Sequence, residues 1–65
     1  MESSALRSVG YDAGTRVLEI EFVGGAVYEY TEVPRRVHEE LMGAPSHGRC
    51  FGRVVRGRYP YQRTG

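Results

Sequence analysis

The sequence predicts an α+β domain: a three-stranded antiparallel sheet followed by two helices packed on one of its faces (β-β-β-α-α). Three observations carry that expectation. Leu18, Ile20 and Phe22 alternate with Glu19 and Glu21, the period of a strand with one buried face. Gly24-Gly25 then separates this run from a second one bearing Tyr28 and Tyr30, the pattern of a hairpin. From Val33 the apolar spacing changes from two to four, through Val37 and Leu41, which is the stripe of a helix opened by Pro34.

Taken in order, residues 1–4 read as a frayed end and 5–11 as a first strand, with a bulge near Arg7–Ser8 because Leu6 breaks the Val9/Tyr11 alternation. Asp12-Ala13-Gly14-Thr15 is a cluster of turn formers. Residues 16–23 form the second strand and 26–31 the third. Pro34 opens the first helix where a missing N–H costs nothing, and Gly43, Ala44 and Pro45 end it. Ser46 is a natural cap for a second helix running to about Arg56, whose apolar face holds Cys50, Phe51, Val54 and Val55. Residues 58–65 form an extended tail. Phe22, Val37, Leu41, Phe51 and Val54 are expected in one core.

Two registers are open for the hairpin. A two-residue loop pairs Val23 with Ala26 and sets Tyr28 and Tyr30 opposite Glu21 and Glu19. A three-residue loop with a glycine bulge turns both tyrosines onto the face of Leu18, Ile20 and Phe22. The second gathers the apolar side chains and is the expected one.

Sixty-five residues predict a single domain spanning 1–65, near the lower limit for folding unaided. Such a chain is expected as a monomer or a homodimer. Cys50 is the lone cysteine, so no disulfide forms within the chain, and a reducing, cytoplasmic setting is expected. No stretch approaches the ~20 apolar residues of a membrane span. Residues 1–40 hold four arginines against eight acids, and residues 41–65 hold five arginines and no acid. Lysine is absent. Arginine-favouring codons explain the missing lysine but not the acid-free second half. That half suits an anionic partner, since a guanidinium forks onto phosphate or carboxylate and stacks on flat rings.

The run Ser3-Ser4, Val9-Gly10-Tyr11-Asp12, Leu18-Glu19-Ile20-Glu21-Phe22, Gly25-Ala26-Val27-Tyr28-Glu29-Tyr30 and Val33-Pro34 resembles the KTSC domain family. So do Leu41, Ala44-Pro45-Ser46-His47-Gly48, Phe51, Arg56-Gly57 and Tyr59-Pro60-Tyr61. The resemblance covers nearly the whole chain. It departs at Gly52, where the family usually has Asn, and at His38, where it often has Tyr. The family takes its name from the C-terminus of some lysyl-tRNA synthetases and occurs also as free-standing small bacterial and phage proteins. The resemblance implies RNA as a ligand.

The leading candidate site is the second helix and tail. Ser46, Gly48 and Arg49 sit at a helix N-terminus, where free N–H groups and the dipole favour phosphate. Arg49, Arg53 and Arg56 continue the positive stripe, and Tyr59 and Tyr61 offer stacking faces. Each has an ordinary alternative: a Ser cap, a solvated arginine face, a packed tail. Secondary candidates are Arg35 and Arg36, which oppose the dipole of the first helix and pair only weakly with Glu39 and Glu40, and Tyr28 and Tyr30. Catalysis is not expected. His47-x-x-Cys50 sets an imidazole one turn from a thiol, but Cys50 lies on the apolar face and no third residue orients His47. One Cys and two His close no metal site, and Gly24-Gly25 joins two strands rather than opening a phosphate loop, so no cofactor is expected. RNA, or another phosphate-bearing anion, and an acidic protein surface are the two partner classes.

Overall fold

Alternation over residues 6–30 builds a meander whose two faces differ sharply. In the computed structural model, which describes residues 6–65, β1 (Leu6–Asp12), β2 (Val17–Phe22) and β3 (Val27–Tyr30) pair in sequence order. The expectations of a frayed 1–4 and of a strand beginning at residue 5 lie outside the described residues. Leu6 pairs with Phe22 but Ser8 with Glu21, so the ladder slips by one at Arg7 and the bulge stands where expected.

The β2–β3 loop has three residues. Phe22 N–H donates to Ala26 O at 2.8 Å and Gly25 N–H to Phe22 O at 3.0 Å. Gly24 and Gly25 carry φ of 111° and 100°, which other residues rarely adopt. This loop pairs Leu18 with Tyr30 and Ile20 with Tyr28, placing both tyrosines on the core face.

Two helices, α1 (Arg35–Gly43) and α2 (His47–Val54), cover that face. Pro34 stands at the cap of α1 rather than inside it, with its carbonyl accepting from Val37 N–H at 3.0 Å. Val37 and Leu41 are buried on α1, and Cys50 and Phe51 on α2. The core is completed by Leu18, Ile20, Tyr30, Val33 and Val55. Val54 and Phe22, both expected in it, are half-buried against its edge. Tyr11 ties β1 to α1: its phenol donates to Val33 O at 2.6 Å, and its ring stacks on His38 at 4.8 Å.

The extended tail needs correcting. Tyr61–Arg63 forms a fourth strand, β4, antiparallel to β3, so the sheet order is β1-β2-β3-β4. Thr31 N–H donates to Pro60 O at 2.9 Å and Thr64 N–H to Val27 O at 2.7 Å, satisfying backbone groups that would otherwise leave β3 a bare edge. The second helix is also shorter than expected. It stops at Val54, and Val55–Arg58 forms a turn closed by Arg58 N–H to Val55 O at 3.0 Å. Gly57 supplies the positive φ of 75° in that turn, as a type II turn requires at its third position.

Candidate functional site

The pairing of β4 with β3 assembles a cleft. Tyr61 pairs directly with Tyr30, and Arg63 with Tyr28, so all four side chains leave the sheet on the helix-facing side. Tyr61 and Tyr30 have ring centroids 5.4 Å apart, and Tyr61 and Tyr28 5.7 Å. Phe22 meets Tyr28 edge-on at 5.7 Å and Phe51 at 5.4 Å, while Phe51 meets Tyr30 edge-on at 5.5 Å. Phe22, Phe51, Tyr30, Tyr61 and Tyr28 therefore form a closed circuit of rings. Edge-to-face and offset contacts of this kind add to plain apolar burial because ring edges are positive and faces negative.

This circuit lines a cleft of about 500 Å³, together with Ala26 beside the hairpin and Arg56-Gly57 in the turn after α2. The rings differ in access. Phe51 and Tyr30 are buried, Phe22 and Tyr28 half-buried, and Tyr61 is 61% exposed. Burial pushes the Tyr30 phenol above its ordinary tyrosine value, the nearby phenols of Tyr61 and Tyr28 add to the rise, and the Arg56 guanidinium opposes it. Three tyrosines and one arginine thus line the same cleft. Among the described residues no carboxylate lies within ion-pair distance of Arg56; the ion pair present is Arg7 to Glu21, at 4.0 Å.

The sequence candidates divide around this cleft. Tyr28, Tyr30, Tyr61 and Arg56 line it. Arg49 and Arg53 are exposed on α2 outside it, and Arg56 sits on the turn rather than on the helix, so the three do not form one helical stripe. Ser46 acts as a cap: its Oγ accepts from Arg49 N–H at 3.3 Å, occupying one of the N–H groups a phosphate would need. Gly48 is half-buried in the first turn of α2. Tyr59 packs half-buried against the core and is not part of the cleft wall. Arg35 and Arg36 are exposed at the start of α1, away from the cleft, and neither Arg35–Glu39 nor Arg36–Glu40 closes an ion pair.

Phe22, Phe51 and Gly57 belong to the wall and were not foreseen there; the first two read from sequence as plain core. Arg63 shares the face as well, with its Nε donating to Gly65 O at 2.7 Å. Its position two residues after Tyr61 was the available signal, since alternate residues of a strand share a face. Cys50 is buried beneath α1 with its thiol 3.8 Å from Glu40 O, in a packed setting rather than an open one. No helix among the described residues is long and apolar enough to cross a membrane.

The sheet's other face carries the acids. Glu19 pairs directly with Glu29, and Gly10 and Gln62 flank them on β1 and β4. Like charges set directly opposite are unfavourable, and solvent on this uncovered face is what makes them tolerable.

Comparison with known proteins agrees with this architecture. The model of the KTSC domain family matches residues 2–59. A lysine–tRNA ligase of Trichormus variabilis is 41% identical over 61 residues, which is 94% of this chain but 11% of the ligase. A protein of Stutzerimonas stutzeri is 46% identical over 56 residues, covering 86% of this chain and 79% of that one. The crystal structure of a KTSC domain protein from Yersinia pestis superposes with a TM-score of 0.88 at 41% identity, covering all of this chain and 92% of that chain.

Proposed function

The chain belongs to the KTSC domain family, and from that premise we propose that it is a non-catalytic module that binds single-stranded RNA in the cleft between the β3–β4 edge and the turn after α2. The observation that carries this reading is the placement on one cleft wall of an exposed tyrosine ring, Tyr61, and of the Arg56 guanidinium, which has no carboxylate at ion-pair distance among the described residues. Aromatic faces bind bases of any sequence, and arginine neutralises the adjoining phosphates; the two together are the usual equipment of single-strand binders. The occurrence of related segments in proteins named as lysine–tRNA ligases supports RNA over other anions.

Exposed Arg49 and Arg53 on α2 extend the positive field beyond the cleft and assist the approach of a strand. Catalysis has little support in the geometry, since the one thiol is buried in the core and His47 has no orienting partner among the described residues.

The test is a titration of labelled single-stranded RNA into the full chain at low and moderate salt. Plotted against log salt, log affinity should fall with a slope of roughly −0.7 per neutralised phosphate. Arg53→Glu with Arg56→Glu should weaken binding for all sequences and flatten that slope. Tyr61→Ala should weaken binding by about 1–3 kcal/mol and leave the slope nearly unchanged, because stacking releases no counterions. A folded chain that binds no RNA at low salt would refute the reading and turn attention to an acidic protein partner.

A further inference from the structure

Single-strand binders commonly lay several bases across a sheet, each on its own ring. The present cleft is built otherwise. Of its five rings only Tyr61 is exposed; Phe51 and Tyr30 are buried, and Phe22 and Tyr28 have much of their surface taken up by neighbouring rings. Ala26 and Arg56-Gly57 complete its lining. Its volume of about 500 Å³ falls in the range of roughly 300–1,000 Å³ typical of sites for one small molecule.

We propose that the cleft is a single-nucleotide pocket: one unstacked base lies on the Tyr61 ring, the phenols of Tyr28 and Tyr30 meet its polar edge, and Arg56 holds the adjoining phosphate. This rests on the RNA reading for its natural source but not for its chemistry, since a free mononucleotide presents the same base and phosphate. Gly57 adds no side chain to the lining, and its φ of 75° is one that residues with a Cβ rarely adopt. Arg63, on the same face at the strand edge, is placed to follow the chain as it leaves the pocket. The rest of the strand is then held by phosphate contacts alone, and the acidic row on the opposite face of the sheet keeps it on this side.

The experiment uses short RNA strands of about eight nucleotides, within the range that one small binding fold covers. One strand is complete, one abasic throughout, and a set carries a single base at each position in turn. The fully abasic strand should bind about tenfold to a hundredfold more weakly than the complete one, the worth of one stacked base. A single restored base should recover most of that loss, and Tyr61→Ala should remove the difference between strands. Equal affinity for the complete and abasic strands would overturn the pocket while leaving the RNA reading intact. Affinity rising in equal steps with every base restored would also overturn it, in favour of a multi-base platform.

A second arm titrates uridine and adenosine 5′-monophosphate, following the ring resonances of Tyr61 and Tyr28 by NMR. Saturable shifts that Arg56→Gln weakens support the pocket even if no strand binds, and would make the free nucleotide its source. Silence in both arms removes the pocket and the RNA reading together. Tyr61 is exposed and Arg56 lies on a surface turn, so both variants are expected to fold, and amide spectra verify it.

Discussion

Phe51 joins the core to the cleft, and replacing it with alanine tests whether the two are one construction. The ring is 2% exposed, meets Phe22 and Tyr30 edge-on, and lies among Leu18, Ile20 and Val55 in the buried cluster. Truncation of a buried phenylalanine costs about 3–5 kcal/mol through lost transfer energy and the cavity left behind. Each lost edge-to-face pair contributes about 0.5–1.5 kcal/mol of that total. Against it stands a stability of about 3–10 kcal/mol, at roughly 0.05–0.15 kcal/mol per residue for a chain of this length. Phe51→Ala should therefore remove from about a third to all of that stability. Urea titration followed by far-UV circular dichroism and tyrosine fluorescence gives the number, since the chain has no tryptophan. Phe51→Leu provides a measurable companion: it keeps most of the apolar volume and loses the ring pairs, for a cost of about 1–2 kcal/mol. The Leu variant should fold, and the resonances of Tyr30 and Tyr61 should shift as their circuit opens. A loss below about 1 kcal/mol for Phe51→Ala would refute the reasoning, because a residue central to the packing cannot be removed so cheaply.

Two further outcomes follow from buried groups. Cys50→Val should leave RNA affinity unchanged and alter stability by less than about 1.5 kcal/mol, because the thiol is packed as a small apolar group; equilibrium titration of the folded variant checks this, and lost binding would revive a role for sulfur. Alkaline pH should destabilise the fold through Tyr30, whose phenol titrates above its ordinary 10.0 when folded. A group with a raised folded pKa binds its proton more tightly in the native state, so its contribution is complete below about pH 10 and fades as pH rises toward the folded value. Urea midpoints measured across that window in a Cys50→Val background should decline, and Tyr30→Phe should flatten the decline; an unchanged slope would deny the burial.

The hairpin was legible in the sequence because its signals are local. Strict alternation fixes which side chains share a face, and Gly24-Gly25 permits the loop that turns Tyr28 and Tyr30 inward. The bulge at Arg7 was legible for the same reason, as a single break in alternation. Tyr61–Arg63 was not, because three residues are too few for a period to show, and their partners Tyr30 to Tyr28 lie 31 to 35 positions earlier. The helix boundary at Val54 likewise depends on the Gly57 turn, which buries Val55 and leaves Val54 at the edge. The candidate site inherits both difficulties. Tyr28, Tyr30, Arg56 and Tyr61 could each be named from sequence, but their meeting depends on a strand that the sequence pattern alone does not reveal.

The linear charge asymmetry of the chain becomes a spatial one through that same strand. Glu19 and Glu29 face outward from the sheet, while Arg56 and Arg63 stand on the cleft side. An anion is thereby repelled from one face and drawn to the other, which orients a strand before it makes any contact. The two fields are not independent. A single sheet layer is roughly 10 Å thick, and the screening length is about 10 Å at 0.1 M salt. At low salt the outer acids consequently offset part of the attraction felt in the cleft, and added salt screens both. The salt slope of RNA binding should then be shallower than the number of arginines around the cleft implies. A shallow slope is therefore compatible with close phosphate contact at Arg56, and the response to base removal and to Tyr61→Ala carries more weight than the slope in judging how the ligand is held.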